Sequence, residues 1–283
     1  MILVTGAGGF VGSRIVQRLR ERGLPVRPML RPAADLTKPS TLPKALEGVD
    51  VVAHCAAIVA SSKEPYPGAY KAINHGGTEN LVRAAKAAGV KRIVALSGIT
   101  KPAPAGSYMA TRNASDAAIR DSGIPFTILQ PSILFGERAE FVSALAGIIR
   151  VSPVVPLIGG GGLRFQPLWV QDLLRCLETA LTEAQPRNAE LAIGGSEYAT
   201  FREIIETTCQ AMGKRRLLVP VPVAVARMQA GLMSALLPRP PLTPAALELF
   251  GFDNTTDLDS VDRNFGFHPR AFREHLLKHG IDG

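Results

Sequence analysis

The sequence predicts an α/β protein, a doubly wound parallel sheet followed by a smaller, mainly helical C-terminal lobe. Three observations carry this expectation. A buried-strand run at 2–5 leads into a glycine triplet, Gly6, Gly9 and Gly12, which opens a helical run. Strand-like and helix-like runs then alternate every ~25–35 residues, the rhythm of βαβ units. After about residue 135 that rhythm stops. Prolines and glycines cluster at 151–162 ("VSPVVPLIGGGG") and helical patterns dominate. The expected division is 1–135 for the sheet domain and 136–283 mainly for the lobe, with sheet and lobe interleaving beyond 135.

Taken in order, 2–5 is a short buried strand. Residues 10–22 form a helix, with Val11, Ile15, Val16 and Leu19 on one face and Arg14, Arg18 and Arg22 on another. Strands follow at 25–30 and 49–54. A long helix at 69–88 stops at Gly89, and another at 108–122 stops at Gly123. Strands at 91–97 and 125–131 complete the alternating part. Helices are expected at 171–183, 200–212, 223–237, 243–250 and 269–279.

Composition bounds the function classes. The chain has 283 residues, 46% hydrophobic and 20% charged, enough apolar surface for a full core and too little charge for disorder. The net charge of +8 fits an anionic ligand, a membrane surface or nucleic acid. The basic residues are scattered and no nucleic-acid motif accompanies them, so nucleic acid is not expected. Cys55, Cys176 and Cys209 are odd in number and lack zinc or disulfide spacing. No metal is expected, and a reduced, cytoplasmic setting fits. No leader is expected before a strand that starts at residue 2. No run of ~18 apolar residues marks a transmembrane helix.

The glycines point to a phosphate ligand. The first turn of a helix offers free N–H groups and a partial positive charge, and a pyrophosphate sits there if no side chain blocks it. Gly6 would allow the tight turn. Gly9 would let the backbone approach the phosphates, with Phe10 and Val11 supplying the first helical turn. Gly12 would let the helix pack close to the strand. This is the Rossmann-like dinucleotide arrangement. An NAD site usually carries an acid at the end of the second strand, on the ribose hydroxyls. Here that stretch reads "VRPMLRP", with Arg27 and Arg31 and no acid. An arginine suits a 2′-phosphate, so NADP(H) is favoured and NAD(H) stays open. Arg31 is the candidate, and Arg27 reads as a solvated surface charge.

With these residues in view, the chain resembles the extended and atypical short-chain dehydrogenase/reductase superfamily, the epimerase/dehydratase-like group. The resemblance lies in "TGAGGFVG", "DLT" (35–37), "HCAA" (54–57), "NHGGTENLV" (74–82) and "ILQPSILFG" (128–136). The segments "LIGGGGLRFQPLWVQDL" (157–173) and "PPLTPAALELFGFDN" (240–254) look like the branch of the complex I NDUFA-type accessory subunit and its bacterial relatives. The resemblance implies that Asp35 and Leu36 contact the adenine and that Ala56, Ala57 and Ile58 line the path to the nicotinamide ribose. It implies that Asn74 supports the sheet near the active site and that Pro131, Ser132 and Ile133 flank the nicotinamide. Plainer roles exist: Asp35 could cap the helix near 39–47, and Asn74 could satisfy backbone groups. Only "RPAA" separates the second strand from "DLT", so an outer strand found in relatives is expected to be missing.

The superfamily uses a tyrosine as general acid or base and a lysine four residues later, which lowers the tyrosine pKa and binds the ribose. Here the stretch is "SYMATRNASD", with Tyr108 in place and Arg112 where the lysine would be. Arginine keeps the charge but not the compact ammonium. The partner hydroxyl should follow the strand at 91–97. The register places Ile99 there, with Ser97 and Thr100 as neighbours. Tyr108, Arg112 and Thr100 are the catalytic candidates, and Ser97, Tyr108 and Arg112 also border the cofactor. His54 and Cys55 do not read as a nucleophile pair, because adjacent strand residues face opposite ways.

In the lobe, "KRRLLVPVPVAVARMQAGLMSALLPRPP" (214–241) places Val225, Met228, Leu232 and Leu236 on one helical face. Lys214, Arg215, Arg216 and Arg239 flank it. The ordinary reading is a helix that packs in the core or covers the substrate cleft. The other is a helix lying in a membrane interface, giving peripheral membrane or complex docking through 217–241. "EFVSALAGIIR" (140–150) could wall a hydrophobic substrate site. The leading functional expectation is an NADP(H)-dependent oxidoreductase on a hydrophobic carbonyl or alcohol. The alternatives are a non-catalytic NADPH-holding module and a nucleotide-sugar epimerase or dehydratase.

Overall fold

The structure is a computed structural model that describes residues 1–185, 187–238 and 240–281. Its chain forms two compact units. The first holds 1–58, 64–130 and 174–191, and the second holds 59–63, 131–173 and 192–283. Arg239, one of the expected flanking charges, lies outside the described residues.

The first unit opens with β1 (Ile2–Thr5), α1 (Phe10–Glu21), β2 (Val26–Pro28), α2 (Leu42–Leu46) and β3 (Val51–His54). A π-helical stretch, Tyr70–Gly76, runs into α3 (Gly77–Ala87), so the expected 69–88 helix has two windings. The Gly77 N–H reaches back five residues, to the Ala72 carbonyl. Then come β4 (Arg92–Leu96), α4 (Tyr108–Arg120) and β5 (Phe126–Pro131). β1 pairs in parallel with β2 and β3, β3 with β4, and β4 with β5.

The next elements are β6 (Leu134–Phe135), α5 (Glu140–Val151), β7 (Val154–Ile158), β8 (Arg164–Phe165), β9 (Leu168–Trp169), α6 (Val170–Thr182) and β10 (Ala189–Ile193). β10 completes the main sheet, whose order is β10-β5-β4-β3-β1-β2. The sheet thus ends at β2, as the short "RPAA" connection implies. Leu3, Val52, Ile93 and Ile128 are buried on it, against Leu42, Leu46, Leu81 and Ile119.

The 174–191 return is tied firmly into the first unit. The Arg92 guanidinium donates to the Ala180 and Glu183 carbonyls at 3.2 and 2.9 Å. Arg18 and Arg22 both pair with Glu178. The Asn188 N–H donates to the Phe126 carbonyl, and Asn188 Oδ1 accepts from the Phe126 N–H.

The second unit continues with β11 (Ala199–Thr200), α7 (Phe201–Ala211), β12 (Leu217–Val221), α8 (Val223–Leu236), α9 (Ser260–Phe265) and α10 (Phe272–His279). The helix expected at 243–250 is a 3-10 stretch, Ala246–Gly251. β7 and β12 form a parallel pair that the sequence reading did not anticipate. The core here is aromatic: Phe201 and Phe250 meet edge to face at 4.8 Å, and Phe165 packs on Phe250 at 5.7 Å. The fully buried Gln166 amide accepts from the Thr256 N–H at 2.8 Å and donates to the Gly195 carbonyl at 2.8 Å.

Candidate functional site

In the first unit the turn after β1 is shaped by contact, not by flexibility alone. Gly6 has φ +65°, and a Cβ there would come 2.7 Å from the Ala56 Cα. A Cβ on Gly12 would run into the Gly6 carbonyl oxygen. Glycine at these two positions lets α1 and the chain after β3 close on the turn. Gly9 is the α1 N-cap. Its N–H donates to the Gly6 carbonyl at 2.8 Å, and no side chain caps the helix. No acid sits in the first turn of α1. In contrast, Ser107 caps α4 and a Thr200–Glu203 capping box closes α7. The start of α1 is therefore an open set of N–H donors at the positive end of a dipole, and the residues present fit a pyrophosphate. Val11 is buried, so its part is backbone, while the Phe10 ring lies under the Arg14 guanidinium at 4.4 Å.

Next to this turn, Ala56, Ala57 and Ile58 are half-buried. Asn74, in the π-helical stretch, brackets Ile58: Oδ1 accepts from the Ile58 N–H at 2.8 Å and Nδ2 donates to the Ile58 carbonyl at 3.0 Å. It satisfies backbone groups, and by doing so fixes the edge of the site.

Asp35 does not cap the 39–47 segment. Its carboxylate accepts from the Thr37 N–H and hydroxyl at 2.9 and 2.8 Å. Burial raises its pKa, but these bonds, with the charges of Arg31 and Lys38, hold it below the usual range. Leu36 is buried, and a Cβ on Gly77 would press on it at 3.0 Å. Arg27 is not a solvated charge. It donates to the Ala45 and Glu47 carbonyls at 2.9 and 2.7 Å, capping the end of α2. Arg31 is exposed.

Tyr108 is the first residue of α4, and its ring meets Tyr70 edge to face at 5.3 Å. Arg112 is buried one turn on, and donates to the Leu96 carbonyl at 2.8 Å. Ser97 donates to the Asp116 carboxylate at 2.7 Å, and Gln130 donates to the same oxygen at 3.1 Å. Burial raises the Asp116 pKa against the pull of Arg112. Thr100 donates to Asn113 Oδ1 at 2.6 Å, and Ile99 is buried. No metal-holding cluster occurs among the described residues.

Sequence reasoning missed the polar chain beneath the site. His54 Nδ1 lies 2.7 Å from Thr5 Oγ1, and Nε2 lies 3.0 Å from Thr78 Oγ1. Thr78 donates to the Asn74 carbonyl at 2.5 Å, and Ser115 donates to the same carbonyl at 2.6 Å. The signal was a threonine and a histidine closing two otherwise apolar strands. Burial lowers the His54 pKa to about 3 and raises that of Cys55 to about 12, so neither is an activated nucleophile pair.

In the second unit Pro131 and Ile133 are buried. Ser132 donates to Asn254 and accepts from the Gln166 N–H at 3.1 Å, which leaves its hydroxyl in a structural network.

The sheet, the glycine turn and the open helix start define the class, a nucleotide-binding α/β protein of the Rossmann type. Residues 2–194 match the NAD dependent epimerase/dehydratase family, and the chain belongs to it. The extended short-chain dehydrogenase/reductase resemblance read from the motifs agrees with that membership. Over 98% of its length the chain is 28% identical to a "3 beta-hydroxysteroid dehydrogenase/Delta 5-->4-isomerase" of Mycobacterium tuberculosis, spanning 88% of that protein. It is 23% identical, over 97% of its length and 74% of the other, to the mitochondrial "NADH dehydrogenase [ubiquinone] 1 alpha subcomplex subunit 9" of Arabidopsis thaliana. Its fold matches that of MoeE5 in complex with UDP-glucose and NAD. The TM-score is 0.75 at 23% identity, covering 99% of this chain and 97% of that one.

Proposed function

We propose that this protein is an NADP(H)-dependent oxidoreductase acting on an apolar alcohol or carbonyl. The observation that carries the cofactor part is the uncapped, acid-free start of α1 above a turn that only glycines can form. Gly6, Gly9 and the N–H groups of Phe10, Val11 and Gly12 would hold the pyrophosphate, and Asp35, Leu36, Ala56, Ala57, Ile58 and Asn74 would border the rest. The 2′-phosphate falls to Arg31, because Arg27 is spent on α2. The bound cofactor supplies or accepts a hydride. Tyr108 Oη gives or takes the accompanying proton. Arg112, one helical turn on, takes the place of the lysine that the resemblance implies. Pro131 and Ile133 would stand near the nicotinamide, with Ser97 and Thr100 at the reacting end. The apolar substrate class is supported by the relative named as a hydroxysteroid dehydrogenase.

Two measurements test this reading. Calorimetry should give about tenfold or tighter binding of NADPH than NADH, since a charged hydrogen bond contributes ~1.5–3 kcal/mol. Arg31→Ala should erase the difference, and a preference that survives it removes Arg31 from the site. Turnover of apolar ketones and 3-hydroxysteroids should fall at least about a hundredfold in Tyr108→Phe, with NADPH affinity within a few-fold.

A second reading, a non-catalytic NADPH holder, is favoured by two hydrogen bonds: Arg112 is turned onto the Leu96 carbonyl and Thr100 onto Asn113. Tight NADPH binding without turnover that Tyr108→Phe can abolish would establish it.

A further inference from the structure

α8 packs on its own unit through a narrow stripe. Ala226 and Ala230 are its only buried residues. Met228, Leu232 and Leu236, at four-residue intervals on another face, are 71, 62 and 72% exposed, and Val225 and Leu237 beside them are exposed as well. A helix of this kind on a water-facing surface normally buries its large apolar residues and shows charge outside. Here the arrangement is reversed, and Arg227 is the one charged residue between 223 and 236.

Along the chain on either side of α8 the charges have a single sign, the nearest acids being Glu206 and Glu248. No Asp or Glu occurs from 207 to 247, while Lys214, Arg215, Arg216, Arg227 and Arg239 do. A second acid-free run, 141–171, holds Arg150 and Arg164. Lys214, Arg215 and Arg216 precede β12 and line a groove of about 680 Å³, shared with Arg202 and Glu206. Glu206 is paired with Arg202 at 3.7 Å, so the groove keeps a cationic surplus. At the other end of α8, Lys63 donates to the Leu237 carbonyl at 3.3 Å. Leu217, which starts β12, is 65% exposed, and its register partner Val154 is exposed too. The described residues among these belong to the second unit. No described helix is long and apolar enough to cross a membrane.

We infer that the second unit docks on an anionic lipid bilayer, with Met228, Leu232 and Leu236 of α8 seated among the acyl chains and Lys214, Arg215 and Arg216 on headgroup phosphates. The charge pattern selects this occupant. An apolar face alone could pair with a second copy, but two copies would bring the same cations together with no carboxylate between 207 and 247 to offset them. An anionic leaflet matches them, at roughly fivefold in affinity for each basic residue near the surface. The helix lies flat, because one face is apolar and its opposite face holds it to the protein.

The test is flotation of the full chain with vesicles. Phosphatidylcholine containing phosphatidylglycerol should carry the protein up, and phosphatidylcholine alone should carry at least about tenfold less. Raised salt should weaken the binding. Met228→Glu with Leu232→Glu, and separately Lys214→Glu with Arg215→Glu, should each reduce it at least about tenfold. These positions are surface ones, and an unchanged melting temperature verifies that each variant is folded. No binding to the anionic vesicles, or equal binding by the Met228→Glu/Leu232→Glu chain, overturns the proposal. A vesicle-indifferent dimer that this double variant converts to a monomer overturns it as well, in favour of self-association.

Discussion

His54 sits between Thr5 and Thr78 with both ring nitrogens engaged. The Thr78 proton goes to the Asn74 carbonyl, so Thr78 Oγ1 must accept from His54 Nε2–H. Nδ1 then accepts from Thr5, whose oxygen accepts from the Ala56 N–H at 3.3 Å. The chain runs one way and fixes one neutral tautomer. Protonation would add a donor where a hydroxyl already donates, in a place where burial, with the Arg112 charge nearby, opposes it. The folded pKa of about 3 lies below the ordinary 6.5, so between those values the unfolded chain binds more protons. Stability is therefore full above pH 6.5 and falls as the pH drops towards 3, with a slope of up to ~1.4 kcal/mol per unit. His54→Gln, which keeps a donor and an acceptor, should flatten denaturant-derived stability between pH 6.5 and 4. An unchanged slope there would clear His54 of the effect. Because Ala56 and Asn74 terminate this chain, the same histidine holds two walls of the proposed cofactor site without touching ligand.

At the scale of elements, α1 is set by one contact. With Gly12 closed on the Gly6 carbonyl, a methyl group there must push the helix away from the turn. We expect Gly12→Ala to lower the melting temperature and weaken NADPH binding at least about tenfold, since the N–H groups move together with the helix. A variant that melts lower but binds NADPH normally would separate the packing role from the binding one. This part of the molecule was legible in the sequence: the glycine spacing, the strand before it and the Arg14–Arg18–Arg22 outer face each carry a periodic signal. The start of α4 at Tyr108 was legible as a helical run that stops at Gly123.

The β7–β12 pair was not legible, because "VVPLI" and "LLVPV" carry prolines, which argue against strands. The pair tolerates them as an isolated two-stranded ladder. The π-helical winding at Tyr70–Gly76 left no trace in the 3.6-residue pattern, yet it positions Asn74. The Thr5–His54–Thr78 chain was hidden too. Hydroxyls in buried strands and helices look like packing until their partners, 49 and 24 residues away, are known. For α8 the sequence left core packing, cleft covering and interface docking open, because hydrophobic periodicity reports which residues share a face and not what covers that face; only the Ala226–Ala230 stripe is buried.

For the whole molecule, the chain path matters as much as the contacts. The first unit is discontinuous: after Gln130 the chain builds part of the second unit before 174–191 returns to finish the first. That return supplies β10 beside β5, Glu178 for Arg18 and Arg22, and the carbonyls that satisfy the buried Arg92. A fragment ending at Gln130 carries every proposed cofactor-binding residue except Pro131 and Ile133, yet it leaves Arg92 unpaired and one sheet edge uncovered. We expect it to be aggregation-prone and not to bind NADPH, as light scattering and calorimetry would reveal; a monomeric fragment that binds would contradict this. On the ribosome the same geometry becomes a matter of timing. Leu191 lies 61 residues beyond Gln130. At ~5–20 residues per second, synthesis leaves the β5 edge without its partner for about 3–12 s. During that interval the nascent chain presents an unpaired strand to its neighbours, and a chaperone that shields this edge would act in the window between translation of β5 and translation of β10.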